Sequence, residues 1–308
     1  MHIIADARTT SEQFSRLVLA VGCFDGVHLG HREIISALVE EAEKMKGVPA
    51  VMTLEPHPRQ FFAPDTAPDI LTPNPVKCRL LAELGVQVLY FLPFDAHTAS
   101  LTPGQFVEEI LLKRCHIKGI IAGHDFAFGK AAAGNFDFLQ EAGKKHGFLA
   151  RQVPPLIVQR QRISSTLIRE KILQGQLDSL PSFLGRHYSI CGVVQSGRGI
   201  GRTLGFPTVN LDPCDCVIPA HGVYAARVRL DKREFLSAVN IGIAPTIQHD
   251  KPMIEAHLLD FSEDIVGAEI EVIFCKRMRG EERFDSHEAL IDAIARDVAV
   301  VREYFAAL

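Results

Sequence analysis

The stretch LVLAVGCFDGVHLGH, residues 17–31, decides the fold of the first half of this 308-residue chain. Residues 17–24 are almost entirely apolar, which is typical of a strand buried on both faces of a parallel sheet. A turn with glycines and two histidines follows, and apolar residues then recur at helical spacing from Ile34 to Met45. The order of strand, turn and helix predicts the first unit of an α/β domain.

Four further apolar runs alternate with helical patterns in the first half of the chain, and they predict buried strands over residues 50–54, 86–92, 119–122 and 148–153. Thr102-Pro103-Gly104-Gln105 has the pattern of a capping box with proline at the first helical position, so another helix begins there. The alternation predicts a doubly wound α/β parallel sheet, whose ligands bind beyond the carboxyl ends of its strands.

The pattern changes after Leu177, and residues 180–185 are predicted to form a short linker. Short strand-like segments follow, predicting an antiparallel sheet or barrel over residues 188–194, 222–229, 236–241, 253–259 and 269–277. Asp285 or Ser286 can cap a final helix, and its apolar stripe consists of Leu290, Ile291, Ile294, Val298 and Val301. We therefore predict two domains, residues 1–180 and 181–308.

Composition excludes several classes of protein. A net charge of −4 gives no bulk attraction to nucleic acid or to an anionic membrane, and no apolar run is long enough for a membrane span. The seven cysteines are an odd number spread along the chain, which argues against a disulfide framework. The first residues lack the features of a signal peptide, so we expect a cytoplasmic protein. The sequence leaves the oligomeric state open, weak self-association included.

The turn after the first strand has the chemistry of a nucleotide site. Its glycines let the backbone approach a ligand closely, and the N-terminus of the following helix attracts an anion. His28 and His31 can donate hydrogen bonds to phosphate oxygens, whose charge rises during attack at the α-phosphorus of a nucleotide. Three hydroxyls and an arginine at the start of a later helix can bind the β- and γ-phosphates. The predicted ATP-binding residues of this half are Gly22, Phe24, Asp25, Gly26, Gly30, Ser164, Ser165, Thr166 and Arg169.

A second group of chemical residues lies in the second half of the chain. Residues 197–210 form a glycine-rich segment that could cover the phosphates of ATP, with Gly199, Gly201, Arg202 and Gly205 as its predicted binding residues. Thr208 and Asn210 are two residues apart and carry oxygen ligands suited to Mg²⁺. Glu255 is the candidate general base, and spacing alone leaves open whether it faces inward or lies on the outer face of its strand.

The motifs of the first half resemble the nucleotidyltransferase superfamily that carries His-x-Gly-His, together with Ile-Ser-Ser-Thr-x-x-Arg at residues 163–169. Residues 22–31, 53–58 and 123–129 resemble the adenylyltransferase half of the bifunctional prokaryotic riboflavin kinase/FAD synthetase family. The resemblance implies that Asp125, His57, Phe126 and Phe128 bind the flavin. The chain departs from the family by having alanine at positions 127, 131 and 132, where basic residues are usual.

The second half resembles the riboflavin kinase of the same family through Gly-Arg-x-Leu-Gly-Phe-Pro-Thr-x-Asn at residues 201–210 and through residues 222–224, 240–246 and 255–260. The resemblance implies a six-stranded antiparallel barrel. It also implies that Thr208 and Asn210 bind Mg²⁺ with the nucleotide and that Glu255 acts as base on the ribityl hydroxyl of riboflavin. The expected reactions use ATP to make FMN and then FAD.

Two other functions stay open at this point. The first domain could adenylylate a different small phosphate, as the alanines at 127, 131 and 132 suggest. Alternatively, the protein could be a sensor that binds flavin and nucleotide without turnover. Formation of FAD from FMN and ATP decides the first alternative, and ATP consumption that depends on riboflavin decides the second.

Overall fold

The computed structural model describes residues 1–10, 14–196, 201, 204–213, 215–242 and 252–308. The chain forms two compact units, of which unit 1 comprises Met1–Pro68 with Asn74–Ser164, and unit 2 comprises Asp69–Pro73 with Ser165–Leu308. The predicted boundary between two functional domains at residue 180 stays a prediction. Gly199 and Arg202 lie outside the described residues.

Unit 1 contains the predicted parallel sheet. Its strands are β1 (His2–Ile4), β2 (Leu17–Val21), β3 (Val48–Glu55), β4 (Val88–Pro93), β5 (Ile117–Gly123) and β6 (Leu149–Val153). They pair in the order β1-β4-β3-β2-β5-β6, and every pair is parallel. The chain moves outward from β2 through β3 to β4 and then returns to β5 on the other side of β2. The strand order therefore reverses between β2 and β5, which is where open α/β sheets bind ligands.

The helices of unit 1 are α1 (Leu29–Lys44), α2 (Pro58–Phe62), α3 (Asn74–Glu83), α4 (Ala96–Ser100), α5 (Pro103–Gln105) and α6 (Phe136–His146). A π-helix, Phe106–Arg114, continues α5, while Pro64–Thr66 and Lys130–Ala132 form 3₁₀ turns and Ile157–Val158 (β7) pairs with Gln161–Arg162 (β8). The predicted capping box is confirmed, because the Thr102 hydroxyl accepts from the amide of Gln105 at 3.2 Å and the Gln105 carboxamide accepts from the amide of Thr102 at 2.9 Å.

Unit 2 contains α7 (Ser165–Leu173), α8 (Pro181–Leu184) and a closed barrel. Its strands are β9 (Tyr188–Gln195), β10 (Val209–Asp212), β11 (Gly222–Leu230), β12 (Arg233–Gly242), β13 (Met253–Leu258) and β14 (Glu269–Arg279). Around the barrel they follow the order β10-β13-β12-β11-β14-β9, and every described pair is antiparallel. The predicted antiparallel barrel of six strands is therefore confirmed.

The C-terminal helix α9 (His287–Ala306) covers part of the barrel. Of the two predicted caps, Ser286 is the one used, since its hydroxyl accepts from the amide of Ala289 at 3.1 Å. Val301 packs against Ala225 of β11, and Arg279 makes two hydrogen bonds to Asp297 at 2.9 and 2.6 Å. The helix is thus fixed to the barrel by both apolar contact and an ion pair.

The prediction of a linker over residues 180–185 is wrong. Leu177–Ser179 forms a 3₁₀ turn and Pro181–Leu184 forms α8. Leu180, Phe183 and Leu184 are all buried, and their spacing of three and four residues places them on one helical face. The Pro and Gly that suggested a linker instead begin and end a short helix.

None of the described helices is long and apolar enough to cross a membrane. All six described cysteines are free thiols.

Candidate functional site

The turn after β2 lies at the point where the strand order reverses. Its backbone is strained, since Phe24 and Val27 have φ of 48° and 40° and Gly26 between them has φ of 92°. A left-handed conformation is common for glycine but costly for a β-branched residue such as Val27. Phe24 and Val27 are both buried, so the packing of their side chains holds this conformation in place.

His28 caps the helix that follows the turn. Its Nδ1 accepts a hydrogen bond from the backbone amide of His31 at 3.1 Å, and the residue is only 6% exposed. Because Nδ1 uses its lone pair as an acceptor, the neutral ring carries its proton on Nε2. The capping bond thus fixes which nitrogen of His28 can donate to a ligand.

His31 stacks on His28, with ring centroids 3.6 Å apart and ring planes 12° from parallel. Burial lowers the pKa of His31 far below its usual value, and the positive charges that His28 and Lys77 can carry lower it further. Its Nδ1 is buried and makes no hydrogen bond to any described residue. We conclude that His31 is neutral at pH 7.

Two glycines of the turn make room for aromatic rings. A Cβ atom on Gly30 would lie 3.2 Å from Cε1 and Nδ1 of His28, and one on Gly22 would lie 3.3 Å from the ring of Phe24. Such distances are tighter than ordinary contact, so a side chain at either position would press on its neighbouring ring. Asp25, which is predicted to bind ATP, belongs to the same turn and is buried, with only 4% of its surface exposed.

The predicted phosphate-binding hydroxyls occur where a helix begins, because α7 starts at Ser165. The Arg169 guanidinium donates from Nε to the carbonyl oxygen of Asp69 at 2.8 Å. Ser165, Thr166 and Arg169 belong to unit 2, whereas Ser164 and the two histidines belong to unit 1. Phosphate binding by these residues stays a prediction.

Three of the four predicted flavin-binding residues have structural contacts in unit 1. His57 caps α2, accepting from the amide of Arg59 at 3.1 Å. Phe128 is a core residue that packs against Phe106 and Phe126. These contacts give each residue a structural role that needs no ligand. Flavin binding by these residues therefore stays a prediction.

Asp125, the remaining predicted flavin-binding residue, follows the end of β5 next to the reversal of strand order. Its side chain is 64% exposed and lies 3.7 Å from the guanidinium of Arg162 and 3.7 Å from Nδ1 of His124. Exposed ion pairs of this kind contribute little to stability, so this carboxylate is free to exchange partners.

In the barrel, the structure decides the orientation of Glu255. Ile254, Ala256 and Leu258 of β13 are buried, while Glu255 between them is only half-buried. Because side chains alternate along a strand, Glu255 faces the outside of the barrel. The idea that Glu255 lies on the inward face is therefore wrong. Its apolar neighbours fill the barrel interior without it.

Glu255 belongs to a row of polar residues on this outer face. It is directly opposite Asn210 of β10 on one side and Asn240 of β12 on the other. Directly opposed side chains on antiparallel strands have Cβ atoms about 4.5–5.5 Å apart. The next row, Leu211 with Ile254 and Ile254 with Ile241, is buried in the barrel.

Asn210 has the property expected of a metal ligand. Its Oδ1 atom is buried and makes no hydrogen bond to any described residue. A buried amide oxygen without a partner is unfavourable unless a ligand or cation satisfies it. The amide oxygen of Asn210 and the hydroxyl of Thr208 are ligand types that suit a hard cation such as Mg²⁺, and metal binding by them stays a prediction.

Gly201 and Gly205, which precede Thr208, each occupy a position that favours glycine. A Cβ atom on Gly201 would lie 2.4 Å from the carbonyl oxygen of Phe206 and 3.0 Å from Oγ1 of Thr208, and Gly205 has φ of 87°. Both positions therefore require glycine for reasons of backbone geometry. ATP binding by Gly201 and Gly205 stays a prediction.

The sequence analysis did not predict the contacts that His257 makes. Its Nδ1 donates to the carbonyl oxygen of Pro207 at 2.8 Å, and its ring lies edge-on to Phe206 at 5.6 Å. His257 is two residues from Glu255 on the same outer face of β13. It thus ties the segment that ends at Thr208 to the strand that carries Glu255.

Comparisons with known proteins match both halves of the chain. The FAD synthetase family model covers residues 10–167, and the riboflavin kinase family model covers residues 184–305. A curated relative from Escherichia coli K12, a bifunctional riboflavin kinase/FMN adenylyltransferase, is 39% identical over 94% of this chain and 92% of its own length. A relative of the same name from Bacillus subtilis is 33% identical over 100% of this chain and 98% of its own length.

Among solved structures, one from Streptococcus pneumoniae described as a macrolide-efflux protein has a TM-score of 0.87 and 29% identity, covering 98% of this chain and 99% of that one. The description belongs to that protein, and the similarity supports the two-unit fold seen here. Since two family models together match most of the sequence in the expected order, the chain belongs to the bifunctional riboflavin kinase/FMN adenylyltransferase family.

Proposed function

We propose that this protein phosphorylates riboflavin with ATP to give FMN and then adenylylates FMN with a second ATP to give FAD and pyrophosphate. Adenylyl transfer belongs to residues 1–180 and phosphorylation to residues 181–308. The observation that best supports this is that each unit holds a group of residues suited to phosphate chemistry. One is the stacked pair of histidines at a helix N-terminus, and the other is the outer row of the barrel with its unpaired Asn210 oxygen.

In adenylyl transfer, a phosphate oxygen of FMN attacks the α-phosphorus of ATP, the bond to the bridging oxygen breaks, and pyrophosphate leaves. The protein supplies no nucleophile, so its contribution is positioning and electrostatic stabilisation. His28 donates from Nε2 to the oxygens that gain charge, and His31 supports it by stacking. The β- and γ-phosphates bind the residues at the start of α7, namely Ser164, Ser165, Thr166 and Arg169.

The flavin of FMN binds beyond the carboxyl end of β5. Asp125 is the polar contact, and it is exposed enough to reach a ligand. Phe126 is partly exposed and can pack against the isoalloxazine ring system, while the buried Phe128 stacks on it from the core at 5.4 Å and supports it. His57, at the end of β3, completes the flavin-binding residues.

In phosphorylation, Glu255 accepts the proton of the ribityl hydroxyl as that oxygen attacks the γ-phosphorus of ATP and ADP leaves. Asn210, directly opposite Glu255, and Thr208 would hold Mg²⁺. The cation would neutralise charge on the phosphates. The glycine-rich segment with Gly199, Gly201, Arg202 and Gly205 covers the nucleotide.

The protein acts in the cytoplasm on small molecules. Its net charge of −4 favours neither nucleic acid nor anionic membrane as a partner, and weak self-association stays open.

A chromatographic time course with riboflavin, ATP and Mg²⁺ tests the proposal. FMN is expected first, followed by FAD, and pyrophosphate should appear in step with FAD. A parallel reaction started from FMN and ATP isolates the second step. If FMN accumulates and is never converted to FAD, the first unit acts on another phosphate. If riboflavin is unchanged, the proposal is wrong.

A further inference from the structure

The chain at Thr208 is held neither by burial nor by strand pairing. Pro207 and Thr208 are both exposed, and β10 begins at Val209. The pairing of β10 with β13 starts with Val209 opposite Ala256 and continues with Asn210 opposite Glu255. Register therefore fixes Asn210 on the outer face of the barrel, whereas Thr208 lies one residue before the pairing starts.

His257 lies where that register would continue. Extending the register by one residue places Thr208 opposite His257, on the outer face that carries Asn210 and Glu255. Nδ1 of His257 donates to the carbonyl oxygen of Pro207 at 2.8 Å, and Pro207 has no N–H with which to lengthen the ladder itself. A side-chain hydrogen bond thus continues the attachment to β13 at the point where the backbone pairing ends.

His257 is itself firmly placed. Its backbone pairs with Ala238 of β12, and its carbonyl oxygen accepts a hydrogen bond from the hydroxyl of the buried Ser237 at 2.9 Å. Its ring lies edge-on to Phe206, with centroids 5.6 Å apart and planes 81° from parallel. The Nδ1 donor is therefore a fixed point on the barrel to which the incoming chain is attached.

We propose that His257 is a positioning residue of the kinase site, which holds the peptide between Pro207 and Thr208 so that the Thr208 hydroxyl lies on the same side as the Asn210 amide. This rests on the function proposed above for residues 181–308, in which these two side chains would hold Mg²⁺ with ATP. His257 acts through the Pro207 carbonyl, whereas Glu255 acts on the proton of the substrate. Loss of the His257 hydrogen bond should weaken binding of Mg–ATP and leave proton transfer intact.

The substitution His257→Phe tests this, because it removes the Nδ1 donor and keeps an aromatic ring against Phe206. In riboflavin phosphorylation by the full chain, the KM for Mg–ATP should rise about 3- to 10-fold, which is the loss of one ordinary hydrogen bond. The kcat and the KM for riboflavin should stay within about twofold of the parent, since the lost interaction contributes to nucleotide binding. FAD formation from added FMN should be unchanged.

Hydrogen exchange gives a second readout, which requires neither metal nor turnover. Peptides covering residues 204–213 are compared by mass spectrometry in parent and variant without ligand. Their amides should exchange about 3- to 10-fold faster in His257→Phe, because this segment opens more often when its attachment to β13 is lost. A residue that only filled space would leave this exchange unchanged.

The rescue variant is His257→Asn. The amide nitrogen of asparagine is bonded to Cγ, as Nδ1 of histidine is, so a donor lies at about the same place. His257→Asn should recover part of the Mg–ATP affinity and of the exchange protection, and His257→Gln, whose nitrogen is one bond further out, should recover less. His287→Phe is the matched control, since it makes the same replacement at an exposed histidine at the start of α9 and should change neither.

The proposal is overturned if His257→Phe keeps the parent KM for Mg–ATP, or if the exchange of residues 204–213 is unchanged. Equal losses in His257→Phe and His257→Asn would also contradict it, since the ring and not its donor would then be responsible. Failure of the proposed function looks different. In that case the parent makes no FMN from riboflavin and ATP, while hydrogen exchange still measures the attachment of the segment by His257.

Discussion

The proposed sites of unit 1 and unit 2 would both hold a nucleotide polyphosphate, but their residues are positioned by opposite means. In unit 1 the groups are buried where a strand ends and a helix begins, with Phe24 and Val27 in strained conformations and neutral histidine rings in contact. In unit 2 the groups lie on the outside of a barrel, where extended strands place Asn210, Glu255 and Asn240 side by side.

The difference shows where each architecture can place polar chemistry. A parallel sheet covered by helices on both faces leaves its strand ends for ligands, so a site there depends on turns and helix termini. A small closed barrel fills its interior with side chains, so its polar residues fall on the outer face, at every second position of a strand. The first site depends on loop geometry and the second on strand register.

The largest expected effect is on the barrel. Glu255→Gln removes the proton acceptor while keeping size and polarity, so riboflavin phosphorylation should fall about 10²- to 10⁴-fold. FAD formation from added FMN should be unchanged, because it uses the other unit. The initial rates of both reactions are measured on the same preparation. Glu269→Gln, which changes an exposed acid at the start of β14, should leave both rates unaltered.

The reciprocal substitution is His28→Ala, for which FAD formation from FMN should fall about 10²- to 10³-fold, the usual cost of one preorganised donor. FMN formation from riboflavin should continue at the parent rate. The control His146→Ala removes an exposed histidine at the end of α6. A folded protein that has lost both activities through either His28→Ala or Glu255→Gln would show that the two sites are not separate.

A smaller effect is expected for Gly30→Ala. The new Cβ would lie 3.2 Å from the His28 ring, so the ring must shift by a few tenths of an ångström. FAD formation should slow by less than about 10²-fold, which is the cost of a displacement of about 1 Å. The free energy of unfolding should not decrease, because alanine favours a helix more than glycine does.

Gly104→Ala is the matched control for this substitution. It also adds a methyl group in the first turn of a helix, and no atom lies within 4 Å of the added Cβ. An equal loss of FAD formation in both variants would mean that contact with the His28 ring is not the cause.

The smallest effect concerns pH. The pKa of His31 is far below 6.5 in the folded protein, so as pH falls below about 6.5 the unfolded chain takes up this proton first. The free energy of unfolding should therefore decrease with falling pH, by at most about 1.4 kcal/mol per pH unit from this one group. His31→Gln should flatten the dependence in urea unfolding between pH 7.5 and 5.5.

Part of the pH dependence should remain in His31→Gln. Burial and the nearby Arg227 also lower the pKa of His187 in unit 2, so this second histidine contributes with the same sign. An unchanged slope in His31→Gln would show that His31 is not the buried neutral group that the structure indicates.

Much of the fold follows from local patterns. The uninterrupted apolar runs predicted the central strands, and Thr102 with Gln105 predicted a helix start that the structure contains. Four short strands escaped detection for a physical reason. They are two to four residues long, too short to show a period, and only their neighbours define them as strands: His2–Ile4, Ile157–Val158, Gln161–Arg162 and Val209–Asp212.

The sequence by itself determined the order of the elements, the class of each unit and the types of residue available for chemistry, since these depend on neighbours along the chain. Only the tertiary structure decided that Glu255 faces outward beside Asn210 and that His31 is neutral. The reason is that alternation along a strand or helix defines two faces but does not say what covers each. Burial, register and charge balance depend on residues that are distant in sequence.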